Sequence, residues 1–298
     1  MSPLYWIALI ALLTRSITCF NRWSFLKYPI IQLSSTSTIT MSTKDILFDM
    51  PVSNHGARVR MIIQSKGIQQ YVDIKQPSDL GGLKSVDYLK LNPQGKMPLL
   101  LSEPNQYPIV ESDCIARYLL EKYHDHGPSF IPSHIMQRSL SDQICRVLDL
   151  YISPVQGSMY KASGTSFSIY GTSRSEALME LKRQLHVIET LLTTFEHHYP
   201  QLSSNTYLCS DEISLADVSL YPTIIFCVFM LPQIIGWDVS VFLGPRLQQW
   251  WNFMNSGEVP IAIVVRKEIE IVLHAWKDSG RFDPIAMELQ ATSIESKI

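Results

Sequence analysis

The sequence predicts a two-part fold, a mixed α/β layer followed by an all-helical domain, and three observations carry that expectation. Between Asp45 and Tyr123 short apolar strands alternate with amphipathic segments; beyond position 133 nearly every segment has helical periodicity; and the first 44 residues differ in composition from everything after them. At 298 residues, 46% of them apolar, the chain is long enough to fill two ordinary cores.

The first 44 residues read as a targeting extension. They contain Arg15, Arg22, Lys27 and Lys44 but no acidic residue, so all 27 Asp and Glu lie at Asp45 or later. Leu4 to Leu13 (LYWIALIALL) has the length of a signal-peptide core and is short for a membrane span. Phe20 to Thr43 is basic, rich in Ser and Thr, and acid-free. A hydrophobic leader followed by such a stretch resembles a bipartite plastid presequence, so a plastid is the favoured destination. Secretion, mitochondrial import and a cytosolic form started at Met41 stay open.

In the α/β layer, expected over 45–123, Ile46–Asp49 is predicted as the first strand and His55–Lys66 as a helix stopped by Gly67. Gln70–Lys75 is predicted as a second strand, bounded by Pro77 and Gly81-Gly82. A short helix precedes Met97–Leu101 and Tyr107–Val110, which form a hairpin around Ser102 to Gln106; Glu111–Tyr123 closes the unit as a helix. A βαβ half followed by a ββα half is compatible with a thioredoxin-like layer. The stretch 124–133 (HDHGPSFIPS) reads as a linker. The helical domain, 134–298, carries helix candidates at Ile135–Tyr160, Arg174–Tyr199, Ser214–Phe229, Arg246–Met254 and Glu258–Trp276.

Charge and cysteine usage narrow the function classes. A net charge of -2 gives no electrostatic reason to expect nucleic acid or an anionic membrane as partner. Five isolated cysteines, Cys19, Cys114, Cys145, Cys209 and Cys227, fit neither a disulfide framework nor a zinc site, and the eight histidines have no ligand spacing. No metal is expected. Phosphate-cradling and nucleophile-elbow motifs are also missing from the sequence.

Three local constellations carry chemistry. Pro51-Val52-Ser53-Asn54-His55-Gly56-Ala57-Arg58-Val59-Arg60 stands where the first strand meets the first helix. Free amides and the macrodipole stabilise an anion there, and a hydroxyl can donate to a thiolate; Ser53 or Asn54 can equally cap the helix. Leu91-Asn92-Pro93-Gln94-Gly95-Lys96-Met97-Pro98-Leu99-Leu100 opens the third strand. A cis Met97–Pro98 bond would present Met97 backbone groups to a peptide, whereas a trans proline at a strand edge is the commoner alternative. Val110-Glu111-Ser112-Asp113 then sets a carboxylate and a hydroxyl at a helix start, where Glu111 can accept from an amine and Ser112 can hold a carboxylate.

Together, in this order and spacing, these motifs resemble the glutathione site of the glutathione transferase family. S-x-x-x-x-R-V-R from Ser53 to Arg60 is similar to the serine-type classes, zeta and tau in particular. Asn92 to Leu99 matches N-P-x-G-K-x-P-x-L, and Ser214-Leu215-Ala216-Asp217 is similar to the capping box of a buried helix in these proteins. The likeness extends from about Ile46 to Trp276. It departs from zeta in having Asn54 and His55 after Ser53, and no cysteine stands at the helix start, unlike thiol-exchanging relatives.

The resemblance implies a glutathione transferase conjugating the glutathione thiolate to small electrophiles, in detoxification or stress metabolism, with Ser53 catalytic. Glutathione is the co-substrate, with Met97 and Pro98 on its cysteinyl backbone, Glu111 and Ser112 on its γ-glutamyl end, and Lys84 or Lys96 on its glycyl end. The electrophile is expected in an apolar pocket between the domains, lined by the helices starting at Ile135 and Arg174. A homodimer is implied as well, and the short, removable leader leaves no stable membrane insertion expected of the mature protein. The alternatives are a non-catalytic glutathione-binding or protein-interaction module, and a glutathione-dependent lyase or dehalogenase.

Overall fold

The computed structural model describes residues 44–291, so the leader and transit-like stretch lie outside the described residues. Lys44, placed by sequence at the end of the extension, already pairs with Asp73 at 3.0 Å.

The α/β part runs β1 (Asp45–Phe48), α1 (Asn54–Ser65), β2 (Val72–Lys75), α2 (Val86–Leu91), β3 (Leu99–Ser102), β4 (Tyr107–Val110) and α3 (Ser112–Lys122). The sheet order is β2-β1-β3-β4, with β1 parallel to β2 and antiparallel to β3, and β3 antiparallel to β4. Successive strand residues face opposite sides. Leu47 and Leu100 therefore join the large core under α1 and α3, while Ile46, Phe48, Leu99 and Leu101 face Tyr88 of α2 on the other side. The second strand begins at Val72 rather than Gln70, because Gln69–Tyr71 winds into one 3-10 turn.

The helical part runs α4 (Ile135–Val147), a π-helical turn over Leu148–Ile152, α5 (Ser153–Gln156), α6 (Arg174–His198), α7 (Leu215–Ile234), α8 (Val239–Phe242), α9 (Pro245–Met254), α10 (Pro260–Asp278) and α11 (Asp283–Ala291). The single helix expected over Ile135–Tyr160 is thus broken by the π turn ahead of Pro154, a residue with no amide to donate. The helix α7 is long and apolar enough to cross a membrane, but 83% of its apolar window is buried inside the protein. It is the central core helix, packing on α1, α4 and α10.

Ser214 and Asp217 close the predicted capping box at the start of α7, the Ser214 amide donating to Asp217 Oδ2 at 2.8 Å. The same carboxylate does more than the motif implies: Oδ1 accepts from the Leu208 amide at 2.9 Å and from Trp250 Nε1 at 2.8 Å. Burial still pushes its pKa up, against the pull of these donors. At the other junction, Lys66 Nζ donates to the carbonyls of His126 and Pro128 at 2.6 and 3.0 Å, which holds the linker against the end of α1.

Candidate glutathione site

Ser53 is the N-cap of α1. Its backbone is extended (φ -74°, ψ 114°) and its Oγ accepts from the Gly56 amide at 2.9 Å, so the capping geometry is present. The hydroxyl retains its own proton, at the positive end of a helix of 12 residues. Asn54 serves neither as cap nor as a free donor: its Nδ2 donates to Gln156 Oε1 at 2.8 Å and Thr223 Oγ1 at 2.9 Å, tying the start of α1 to the helical domain. His55 is partly buried, and burial, reinforced by the positive charge of Arg58, lowers its pKa to about 4. Asp149 opposes that shift and Lys96 adds to it, so the His55 imidazole is neutral near pH 7 among charged neighbours.

The two arginines of the R-V-R string take opposite sides of α1. Arg58, 1% exposed, donates Nη1 to Ser112 Oγ at 3.1 Å and both terminal nitrogens to Asp149, at 3.3 and 2.8 Å. Asp149 reaches it from the π-helical turn. Arg60 holds the turn ahead of Ser53: it pairs with Asp49, donates to the Met50 carbonyl at 3.0 Å and the Pro51 carbonyl at 2.8 Å, and binds Glu268 of α10 at 3.1 Å. The sequence alone gave no role to Arg58, Arg60, Asp49 or Asp149. The spacing of the two arginines was the available signal; their acidic partners 91 and 208 positions away had none.

The loop from Asn92 to Pro98 is shaped by its own polar groups. Asn92 Nδ2 and the Tyr88 hydroxyl both donate to the Lys96 carbonyl, at 2.7 and 2.8 Å, and Asn92 Oδ1 accepts the Gln94 amide. Gly95 adopts φ +59°, and a Cβ there would stand 2.8 Å from the Leu83 carbonyl and 3.0 Å from Lys84 Nζ. The Met97–Pro98 bond is cis, and Met97 precedes the first paired residue of β3, Leu99. Lys84 and Lys96 are exposed, and Lys84 Nζ lies beside Gly95 in this loop.

Glu111 caps α3 with φ 68° and ψ 119°, an uncommon conformation for a residue with a side chain. Its Oε1 accepts from Gln94 Nε2 at 3.1 Å, which bridges the second and third constellations. The neighbouring Ser112, 7% exposed, is anchored through Arg58. The fold thus places the β1-to-α1 turn with Ser53, the Lys96–Pro98 loop ahead of β3 and the β4-to-α3 turn with Glu111-Ser112 at one end of the sheet; Lys96 and Asp149 act on His55, and Arg58 links Ser112 to Asp149.

The helices expected to line a pocket between the domains also line a groove on another face. The helices starting at Ile135 and Arg174 do line a groove of about 740 Å³, bounded by Ile135, Val147, Leu150, Tyr151, Val187 and Leu191. Every lining residue belongs to the helical part, so this groove lies on the outer face of α4 and α6 and opens to no residue of the α/β part. The inward faces of α4 and α6 pack on each other and on the π turn, and α4 packs on α7 as well.

Comparison with known proteins agrees with this architecture. The model of the glutathione S-transferase N-terminal domain matches residues 47–128 and that of the C-terminal domain residues 173–251, together more than half of the chain. Glutathione S-transferase 3 of Zea mays is 27% identical over 219 residues, 68% of this chain and 91% of that protein. Glutathione S-transferase F10 of Arabidopsis thaliana is 29% identical over 189 residues, covering 59% of this chain and 76% of the other. A probable elongation factor 1-gamma 2 of Arabidopsis thaliana is 32% identical over 63% of this chain, but over only 42% of its own length. Among solved structures, glutathione transferase F2 of Populus trichocarpa superposes with a TM-score of 0.53 at 21% identity, over 76% of this chain and 99% of that one. Ure2p in complex with glutathione gives a TM-score of 0.58 at 17% identity, over 74% and 98%. With both domain models matched in order on a mixed four-stranded sheet and a following helical domain, the chain belongs to the glutathione S-transferase family.

Proposed function

We propose that this chain is a glutathione transferase in which Ser53 activates the glutathione thiol for attack on small electrophiles. The observation that carries the reading is the position of the Ser53 hydroxyl, with its proton not used by the helix cap, at the N-terminus of α1. A free thiol of pKa about 8.5 is only a few per cent thiolate at neutral pH, and the thiolate is the nucleophile. Lowering that pKa by roughly two units takes about 2.7 kcal/mol of preferential thiolate stabilisation. One charge-assisted hydrogen bond from Ser53, about 1.5–3 kcal/mol, plus a helix terminus at about 0.3–1 kcal/mol, covers this. The proton leaves to solvent on binding; Ser53 keeps its own.

The tripeptide lies along the cis-proline loop, with Met97 and Pro98 on its cysteinyl backbone and Glu111 and Ser112 on its γ-glutamyl end. Arg58 supports this by holding the Ser112 oxygen, and Lys84 or Lys96 meets the glycyl carboxylate. Retention on immobilised glutathione, followed by thiol consumption with a panel of aryl halides, peroxides and unsaturated carbonyls, tests the reading. Binding without turnover on any member would replace it with a glutathione-binding or interaction module, a reading that the elongation-factor relative supports.

The outer groove on α4 and α6, flanked by the half-exposed Leu150 and Tyr151, fits a homodimer contact, to be checked by light scattering. Delivery to a plastid is proposed from the acid-free extension; a fluorescent reporter fused behind residues 1–44 that stays in the cytosol would refute it.

A further inference from the structure

Asp49 is a buried carboxylate for which the proposed chemistry has no use. It is 2% exposed, and its Oδ2 pairs with Arg60. The other oxygen, Oδ1, is buried without a hydrogen-bond partner. A native fold seldom leaves such an acceptor empty, because a lost partner leaves the desolvation cost unopposed.

The carboxylate is lodged against the first turn of α1. A Cβ built on Gly56 would stand 1.8 Å from Asp49 Oδ1 and 2.0 Å from its Cγ, so only glycine leaves room for it there. Gly56 is also the residue whose amide donates to Ser53 Oγ. The unfilled acceptor and the Ser53 hydroxyl therefore flank the same residue. With one lone pair taken by the Gly56 amide, the hydroxyl has a single proton to direct, towards Asp49 or towards a sulfur at the helix end.

We propose that Asp49 is a positioning residue that competes with the glutathione sulfur for the hydroxyl proton of Ser53. The proposal rests on Ser53 being the thiolate donor. No covalent bond changes: the proton stays on Oγ and only its direction differs. Burial pushes the Asp49 carboxyl up to about 6, opposed by Arg60, the Met50 backbone and the Ser53 hydroxyl. The other groups that face it are committed elsewhere. Arg60 is shared with Glu268 of α10 and two carbonyls, and Tyr88 of α2, whose phenol is pushed up to about 12 by burial and by Asp49, donates to the Lys96 carbonyl. Ser53 alone brings a proton that can turn either way.

Asp49→Asn keeps the volume and an oxygen for Arg60 while removing the charge that draws the proton. In that variant the pKa of bound glutathione, read from thiolate absorbance in the ultraviolet, should fall by about one unit from about 6.5, with kcat/KM near pH 5.5 rising roughly fivefold as the thiolate fraction grows. The advantage should vanish above the thiol's pKa. An unchanged or raised thiol pKa would overturn the proposal, as would an equal fall in the Ser53→Ala background, where the charge would be acting on sulfur directly. If Asp49→Asn does not fold, the pair is read in the free protein: Ser53→Ala should raise the Asp49 carboxyl pKa, followed by carbon NMR, and an unchanged titration would overturn the proposal. That last measurement needs no glutathione. A chain that fails to bind the tripeptide at all therefore sinks the proposed function, while the titration still tests the Asp49–Ser53 pair by itself.

Discussion

Removing the Ser53 hydroxyl should separate two roles that the structure gives to one atom. Oγ accepts the Gly56 amide at 2.9 Å as a helix cap, and its proton is the proposed donor to the thiolate. Ser53→Ala loses both. The cap is worth about 1 kcal/mol, which in a domain of this size lowers Tm by roughly 2–4 °C. Loss of the charge-assisted bond, about 1.5–3 kcal/mol, lowers kcat/KM about tenfold to a hundredfold at neutral pH. Ser53→Gly separates the two, because glycine is nearly as good an N-cap as serine and costs only a few tenths of a kcal/mol. The glycine variant should therefore melt close to the wild type and be as slow as the alanine variant. The assay is steady-state conjugation of an aryl halide, with glutathione affinity measured by calorimetry and expected to change little, since the peptide is held by groups that the substitutions leave in place. The rate defect should shrink as pH approaches about 8.5, where solvent alone supplies the thiolate. If Ser53→Gly turns over at the wild-type rate while Ser53→Ala is slow, activity follows the cap and the assignment of Ser53 as donor is refuted.

Three further outcomes are expected. Arg58→Met strands Asp149 and releases Ser112, so denaturant unfolding should show a loss of about 3 kcal/mol, together with weaker glutathione binding; a variant that keeps full affinity would count against Ser112 as a ligand. Asp217→Ala leaves the buried donors of Leu208, Ser214 and Trp250 without an acceptor at about 1–3 kcal/mol each, so it should cost at least about 3 kcal/mol, and a loss below about 1 kcal/mol would refute that. His55, lowered to about 4 from 6.5, binds its proton more readily unfolded than folded; its stabilising contribution is complete above pH 6.5 and is lost as pH falls towards 4. His55→Asn should therefore flatten the acid side of the stability curve by on the order of 3 kcal/mol, and wild-type and variant curves that stay parallel over that window would show that His55 is not held neutral.

Local pattern was enough for much of this molecule. The short apolar runs around Leu47 and Leu100, the Gly67 stop after α1, the Ser214 and Asp217 capping box and the turn residues from Asn92 to Pro98 are all signals that act within a few positions, and the observed elements follow them. The break at the π turn was not legible from periodicity, because helical spacing continues through Leu148–Ile152 while the hydrogen-bond pattern changes.

What only the tertiary structure decided is which charges meet. Arg58 finds Asp149, Arg60 finds Asp49 and Glu268, and Asn54 finds Gln156 and Thr223 because α1 is enclosed by α3, α7 and α10, and a group denied water must pair with whatever the packing brings near. Sequence separation carries no information about such pairs. For the same reason the sequence named Ser53 but not the carboxylate beside Gly56: the residue type determines what a side chain can donate, and the fold determines which acceptors are within its reach.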